Sequence, residues 1–118
     1  MKIYFISGHL DISIDEFDNH YKDKILSLVD DDNNHFVMGD ARGTDELAIM
    51  LLLKSIKNLD RIRIFHIGNK SRFIFSDELK KIGGFKSDNA RDKAMTNTSD
   101  MDIAWARSED ETKLLYAI

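Results

Sequence analysis

The sequence predicts an α/β domain: a three-layer sandwich with a mostly parallel sheet of four or five strands. Three observations carry this. Strand-like and helix-like segments alternate as β-α-β-α-β through Ile67. The strand segments are mostly continuous apolar runs, as strands covered on both faces require. And 118 residues, 42% of them apolar, suffice for one buried core over residues 1–118 but not for two.

The first element is Lys2–Ser7, KIYFIS, a β-rich run that stops at Gly8. Ser13-Ile14-Asp15-Glu16 then has capping-box spacing, and Ile14, Phe17, Tyr21, Ile25 and Leu28 follow on one helical face to about Val29. In the run Asp30-Asp31-Asp32-Asn33-Asn34, Asp30, Asp32 and Asn34 have alternating loop-ligand spacing, yet the sixth position is His35 and the twelfth Ala41. The turn glycine and the bidentate glutamate of a calcium loop are both missing, so it reads as a solvated loop. His35–Met38 is the second strand. After Gly39-Asp40-Ala41-Arg42-Gly43, Thr44 is placed to cap a helix whose Leu47–Leu53 stretch is apolar nearly all round, predicting burial.

Arg61–Ile67 is the third strand, stopped by Gly68-Asn69. Arg72–Phe75 reads either as a short strand or as an apolar loop. Ser76-Asp77-Glu78 opens a short helix that Gly83-Gly84 would end, and a further helix covers Asn89 to about Thr98. Asp102–Ala106 is the last strand and Thr112–Ile118 a terminal helix.

No apolar run approaches the roughly 20 residues of a membrane span, and the N-terminus lacks a signal-peptide pattern, so a cytoplasmic protein without a membrane partner is expected. The absence of cysteine excludes disulfides, zinc-thiolate sites and thiol catalysis. A net charge of −4 without a basic run argues against nucleic acid as main partner. His9, His20, His35 and His66 lack metal-ligand spacing, and no metal or cofactor is predicted.

In a parallel sheet, ligands bind beyond the carboxyl ends of the strands. The loops there are Ser7-Gly8-His9, Gly39–Thr44 and Arg107–Thr112. Gly39 and Gly43 let main-chain N–H groups approach a ligand, and the following helix start adds donors and a positive dipole end. Asp45 and Glu46 in the first helical turn would repel a phosphate but suit sugar hydroxyls. Arg91 and Met95, four apart, share a helix face and offer a planar donor fork beside a soft apolar surface.

Taken in order, Ser7-Gly8, GDARGTDELA from Gly39 to Ala48, Arg91-x-x-x-Met95 and Ser99–Trp105 resemble the SLOG superfamily, in particular its small YspA-like single-domain branch, related to the Lonely Guy phosphoribohydrolases and DprA. The resemblance spans most of the chain and implies a Rossmann-like fold, self-association, and a pocket for a nucleotide or nucleotide-derived molecule. Ser7, Gly8, His9, Gly39, Asp40, Ala41, Arg42, Gly43, Thr44, Asp45, Arg91, Met95 and Thr112 would contact that ligand. GDARGTD is similar to the branch's GGARGAD with Asp40 for the second glycine, and RDKAM to RKxxM with Asp92 for lysine. Where the phosphoribohydrolases carry GGxGTxxE, this chain has Ser108–Leu115. Thr112 is retained, the glycines are replaced, in part by carboxylates, and Leu115 stands at the catalytic glutamate. That departure argues against hydrolysis of a nucleoside monophosphate.

Three functions compete: a sensing or regulatory nucleotide-derivative binding module; an N-glycosidic bond enzyme of phosphoribohydrolase or deoxyribosyltransferase type, with Asp40, Asp45, Glu46 and Glu109 as candidate carboxylates; and an interaction module whose loops only turn the chain.

Overall fold

The computed structural model describes residues 1–68 and 79–105. Five parallel strands, β1 (Lys2–Ile6), β2 (Asn34–Met38), β3 (Ile62–Ile67), β4 (Lys80–Phe85) and β5 (Met101–Ile103), form one sheet in the order β4-β3-β2-β1-β5. The period-two alternation of strand side chains splits them between two cores. Tyr4, Ile6, Phe36, Met38, Ile62, Ile64 and Ile103 pack with Phe17, Tyr21, Ile25, Val29, Ala48, Ile49 and Leu52. These last come from helices α1 (Ile14–Phe17), α2 (Asp23–Val29) and α3 (Thr44–Ser55) and from a π-helical segment, Asp18–Lys22, that joins α1 to α2. On the other face Ile3, Val37 and Phe65 pack with Met95 of α4 (Asp88–Thr98). Helices therefore cover both faces, giving the Rossmann-like three-layer sandwich. Among the described residues no helix is long and apolar enough to cross a membrane.

The capping box forms as the spacing predicts: Ser13 Oγ accepts from Glu16 N–H at 3.1 Å, and Glu16 Oε1 accepts from Ser13 N–H at 3.0 Å. Ile14, expected on the buried face, is instead 67% exposed. As the first helical residue it faces solvent, while Ile12 and Phe17, at the hydrophobic-staple positions around the cap, are buried together.

Two further corrections concern strands. Residues 80–85 form edge strand β4, not a helix ended by Gly83-Gly84. The edge of β3 leaves main-chain groups that this strand satisfies. Gly83 is needed because a Cβ there would strike the His66 ring, and Gly84 is at φ 86°, with the ladder register shifting between Phe65 and Ile67. The last strand is Met101–Ile103 and does not continue through Ala104 and Trp105, because the Trp105 N–H leaves the ladder and donates to the Tyr21 hydroxyl at 2.9 Å. Arg72–Phe75, the Ser76–Glu78 helix start, Ala106, the acidic Arg107–Thr112 loop and the Thr112–Ile118 helix lie outside the described residues.

Arg61 precedes β3, closing a 3₁₀ turn at Leu59–Arg61. Its buried guanidinium donates from Nε to the Asn34 carbonyl at 3.0 Å and from Nη2 to the carbonyls of Val29 and Asp31, each at 2.9 Å. It thus satisfies carbonyls left over where α2 ends and ties that end to the start of β2. Replacing it by alanine orphans three buried or half-buried acceptors, and about 3 kcal/mol of stability should be lost. Urea unfolding of R61A checks this, and lysine at the same position should recover only part because it lacks the fork.

Candidate functional site

Chain direction in the sheet reverses at β1. From β1 the chain proceeds through β2 and β3 to β4, then returns by α4 to place β5 on the other side of β1. Such a switch point splays the loops and opens a crevice beyond the strand ends. A cavity of about 210 Å³ lies there. Phe5, Ser7 and Gly8 at the end of β1 line it with Leu10. Gly39 and Ala41 follow β2, Asp45 comes from the first turn of α3, and Arg91, Asp92, Met95 and Thr96 come from α4. Asp102 of β5 completes the wall.

Local sequence explains each placement. Phe5 and Asp102 are direct partners in the parallel ladder, so both side chains project to the α4 face. Ser87 caps α4 by accepting the Ala90 N–H at 3.1 Å, setting a helix phase in which Arg91 and Met95 both turn inward and are buried. Their neighbours Asp92 and Thr96 occupy the adjoining strip of the same helix.

The glycines act through close packing. A Cβ on Gly39 would lie 2.9 Å from Asp45 Oδ2 and 3.1 Å from Arg91 Cζ. One on Gly8 would strike the Tyr21 hydroxyl, which itself donates to the Ser7 carbonyl at 2.8 Å. Gly43, at φ 79°, is pressed against the His9 and Leu10 main chain, with carbonyl oxygens 2.6 and 2.5 Å from where its Cβ would be. Thr44 does not cap the helix with its side chain. It is the first helical residue, and both its N–H (3.2 Å) and its hydroxyl (3.0 Å) donate to the His9 carbonyl. The Ala41 N–H is likewise taken, by Asp45 Oδ2 at 3.1 Å. Two amides expected to face a ligand thus hold the loops to each other and to α3.

Arg91 is the charged centre of the wall. Its Nη1 lies 3.3 Å from Asp40 Oδ1, its Nη2 3.3 Å from Asp88 and 3.1 Å from Asp92, and its Nε 3.2 Å from Asp92. Asp40 is 1% exposed and sits behind the cavity wall. Burial is the main influence on Asp45, and it pushes that carboxyl up to about 7, although the Ala41 N–H and the Arg91 charge pull the other way. Burial also raises Asp92, again opposed by Arg91. Near neutrality Asp45 is therefore poised to donate or accept a proton or a hydrogen bond.

No family model, curated protein or solved structure matches the chain. The site is accordingly read from its own geometry.

Of the residues the sequence singles out, Ser7, Gly8, Gly39, Ala41, Asp45, Arg91 and Met95 line the cavity. Asp40 contacts it through Arg91. Thr44 and Gly43 hold the loops together, Arg42 is exposed, Glu46 is half-buried off the wall, and the His9 ring packs edge-on to Trp105 at 5.6 Å. Thr112 and Glu109 lie outside the described residues. Sequence reasoning missed Phe5, Leu10, Asp92, Thr96 and Asp102. For Asp92 and Thr96 a signal existed, their place beside Arg91 and Met95 on one helix strip. For Phe5 and Asp102 only the strand pairing supplies it.

The sign of the Asp45 shift gives a test. With a folded value of about 7 against about 3.9 in the unfolded chain, the folded protein keeps a proton that the unfolded one releases between these values. Its contribution to stability is complete below about pH 4 and is lost as pH rises through 7, with a slope of at most roughly 1.4 kcal/mol per pH unit. Asp45→Asn keeps an acceptor for Ala41 and cannot titrate. The stability of D45N relative to the native protein should climb from pH 4 to 7 and then level, and denaturation across that range should show it. Parallel curves would refute the assignment.

Proposed function

We propose that this domain binds a nucleotide-derived small molecule through its sugar, in the crevice where β1, β2 and β5 end. The observation that carries the reading is the pairing, on one cavity wall, of a buried arginine with the buried Asp45 carboxyl at the switch point of a parallel sheet. Asp45, Asp92, Asp102 and Ser7 offer acceptors and donors for hydroxyls, while Phe5, Leu10 and Met95 offer apolar surface for a ring. A volume of about 210 Å³ matches a sugar, or a sugar with part of a base, better than a whole dinucleotide. The resemblance to the SLOG superfamily supports the same class of ligand, and a sensing or regulatory role goes with it.

A second reading draws on Asp45 alone. A carboxyl near 7 inside the crevice suits general-acid protonation of a leaving base, with Asp92 or Asp102 stabilising an oxocarbenium-like sugar carbon. That would make the protein an N-glycosidic bond enzyme.

Thermal unfolding in the presence of ribonucleosides, deoxyribonucleosides, their monophosphates and ADP-ribose tests the binding reading. A ligand at 100 times its Kd should stabilise by about 2.7 kcal/mol, and Asp45→Ala or Met95→Ala should abolish the rise. No stabilisation by any of them counts against the proposal. Release of free base from the same compounds, lost in D45N, would favour the enzyme.

A further inference from the structure

Resting on the proposed sugar-binding role of this crevice, the geometry points to an unphosphorylated ligand: the site takes a nucleoside and discriminates against the corresponding nucleotide. The reason lies in how the guanidinium of Arg91 is engaged. A phosphate is ordinarily gripped by a free arginine fork, two parallel N–H groups aimed at two oxygens. Here every nitrogen of that fork already has a carboxylate oxygen within 3.3 Å: Nη1 has Asp40, Nη2 has Asp88 and Asp92, and Nε has Asp92.

These partners differ in burial: Asp88 is 64% exposed on the helix surface, Asp92 stands on the cavity wall, and Asp40 is shut in behind Arg91. Asp40 is 1% exposed, so withdrawing it from Arg91 would leave both buried charges without each other. Asp92 lines the cavity itself, so a phosphate approaching Nε or Nη2 meets this carboxylate first. Asp45 and Asp102 line the same space, and Arg91 is the sole cationic side chain among its described lining residues. One positive charge thus faces three touching carboxylates, with Asp102 and the titrating Asp45 also on the wall.

Main-chain donors do not make up the difference. The Ala41 N–H is spent on Asp45, and the first amide of α3, that of Thr44, on the His9 carbonyl, so two of the main-chain donors at this rim already serve the protein's own groups. Sugar hydroxyls reverse the balance, because each brings a donor to a wall rich in carboxylate acceptors. Asp40, the most buried of the three partners, is the residue that makes the arginine an internal counter-ion.

Isothermal titration of the full chain at pH 7.5 tests this, using each of the four common ribonucleosides and its own 5′-monophosphate as a matched pair. At least one nucleoside should bind no less than tenfold tighter than its monophosphate. Asp92→Asn, which removes the wall carboxylate and keeps the shape, should narrow that ratio about tenfold, and Asp40→Asn should do the same if the variant folds. A monophosphate that binds the native protein as tightly as its nucleoside, or tighter, overturns the inference while leaving the crevice a nucleotide-type site. An unchanged ratio in D92N also overturns it. Absence of saturable binding by both members of every pair overturns the inference together with the reading on which it rests.

Discussion

A buried guanidinium must be compensated where it stands, and in this protein that requirement organises one whole rim of the sheet. Arg91 reaches from α4 to the loop after β2, and its contact with Asp40 joins two segments 51 residues apart. Desolvating both ions is costly, and the cost is recovered only if geometry and extra hydrogen bonds are good. Asp88 and Asp92 on the helix complete the shell. Removing the buried Asp40 would leave the inner end of the guanidinium without its counter-charge, so the position of α4 and the path of the β2 loop are coupled through one side chain.

The same rim depends on closeness between backbones. Tyr21, from the π-helical segment, places its hydroxyl between the Ser7 carbonyl and the Trp105 N–H, linking the ends of β1 and β5. Gly8 leaves room for that hydroxyl, and Gly43 allows the β2 loop to press on the His9-Leu10 main chain. Asp45 and Thr44 then tie the loop to α3 and to the β1 loop. The crevice is therefore walled by loops that brace one another. Its polar groups are held in position by the protein itself, an arrangement that would lower the ordering cost of the proposed binding.

Function follows from what is left unspent. The Ala41 and Thr44 amides and the arginine fork are engaged within the protein, whereas the carboxylates on the wall retain lone pairs. A glycine-bracketed strand-to-helix turn is usually read as an anion cradle. Here two of its donors, the Ala41 and Thr44 N–H groups, are turned onto the protein itself, and the proposed preference for hydroxyls over anions rests on that. Burial adds to this by holding Asp45 near neutrality, where it serves as donor or acceptor.

The amino-acid sequence by itself determined the fold class, the β-α-β-α-β order of elements through β3, the capping box at Ser13, and a helix carrying Arg91 and Met95 on one face. These follow from apolar periodicity and cap chemistry, which are local and survive in one dimension. Tertiary structure alone decided that Lys80–Phe85 is a strand, because the exposed edge of β3 and the ring of His66 set what that segment must be. It alone decided that Gly43 serves a backbone contact, that Phe5 and Asp102 share a wall, and that Arg91 answers to Asp40. Each of those depends on residues far apart in the chain meeting at one place, and no short-range pattern encodes such a meeting.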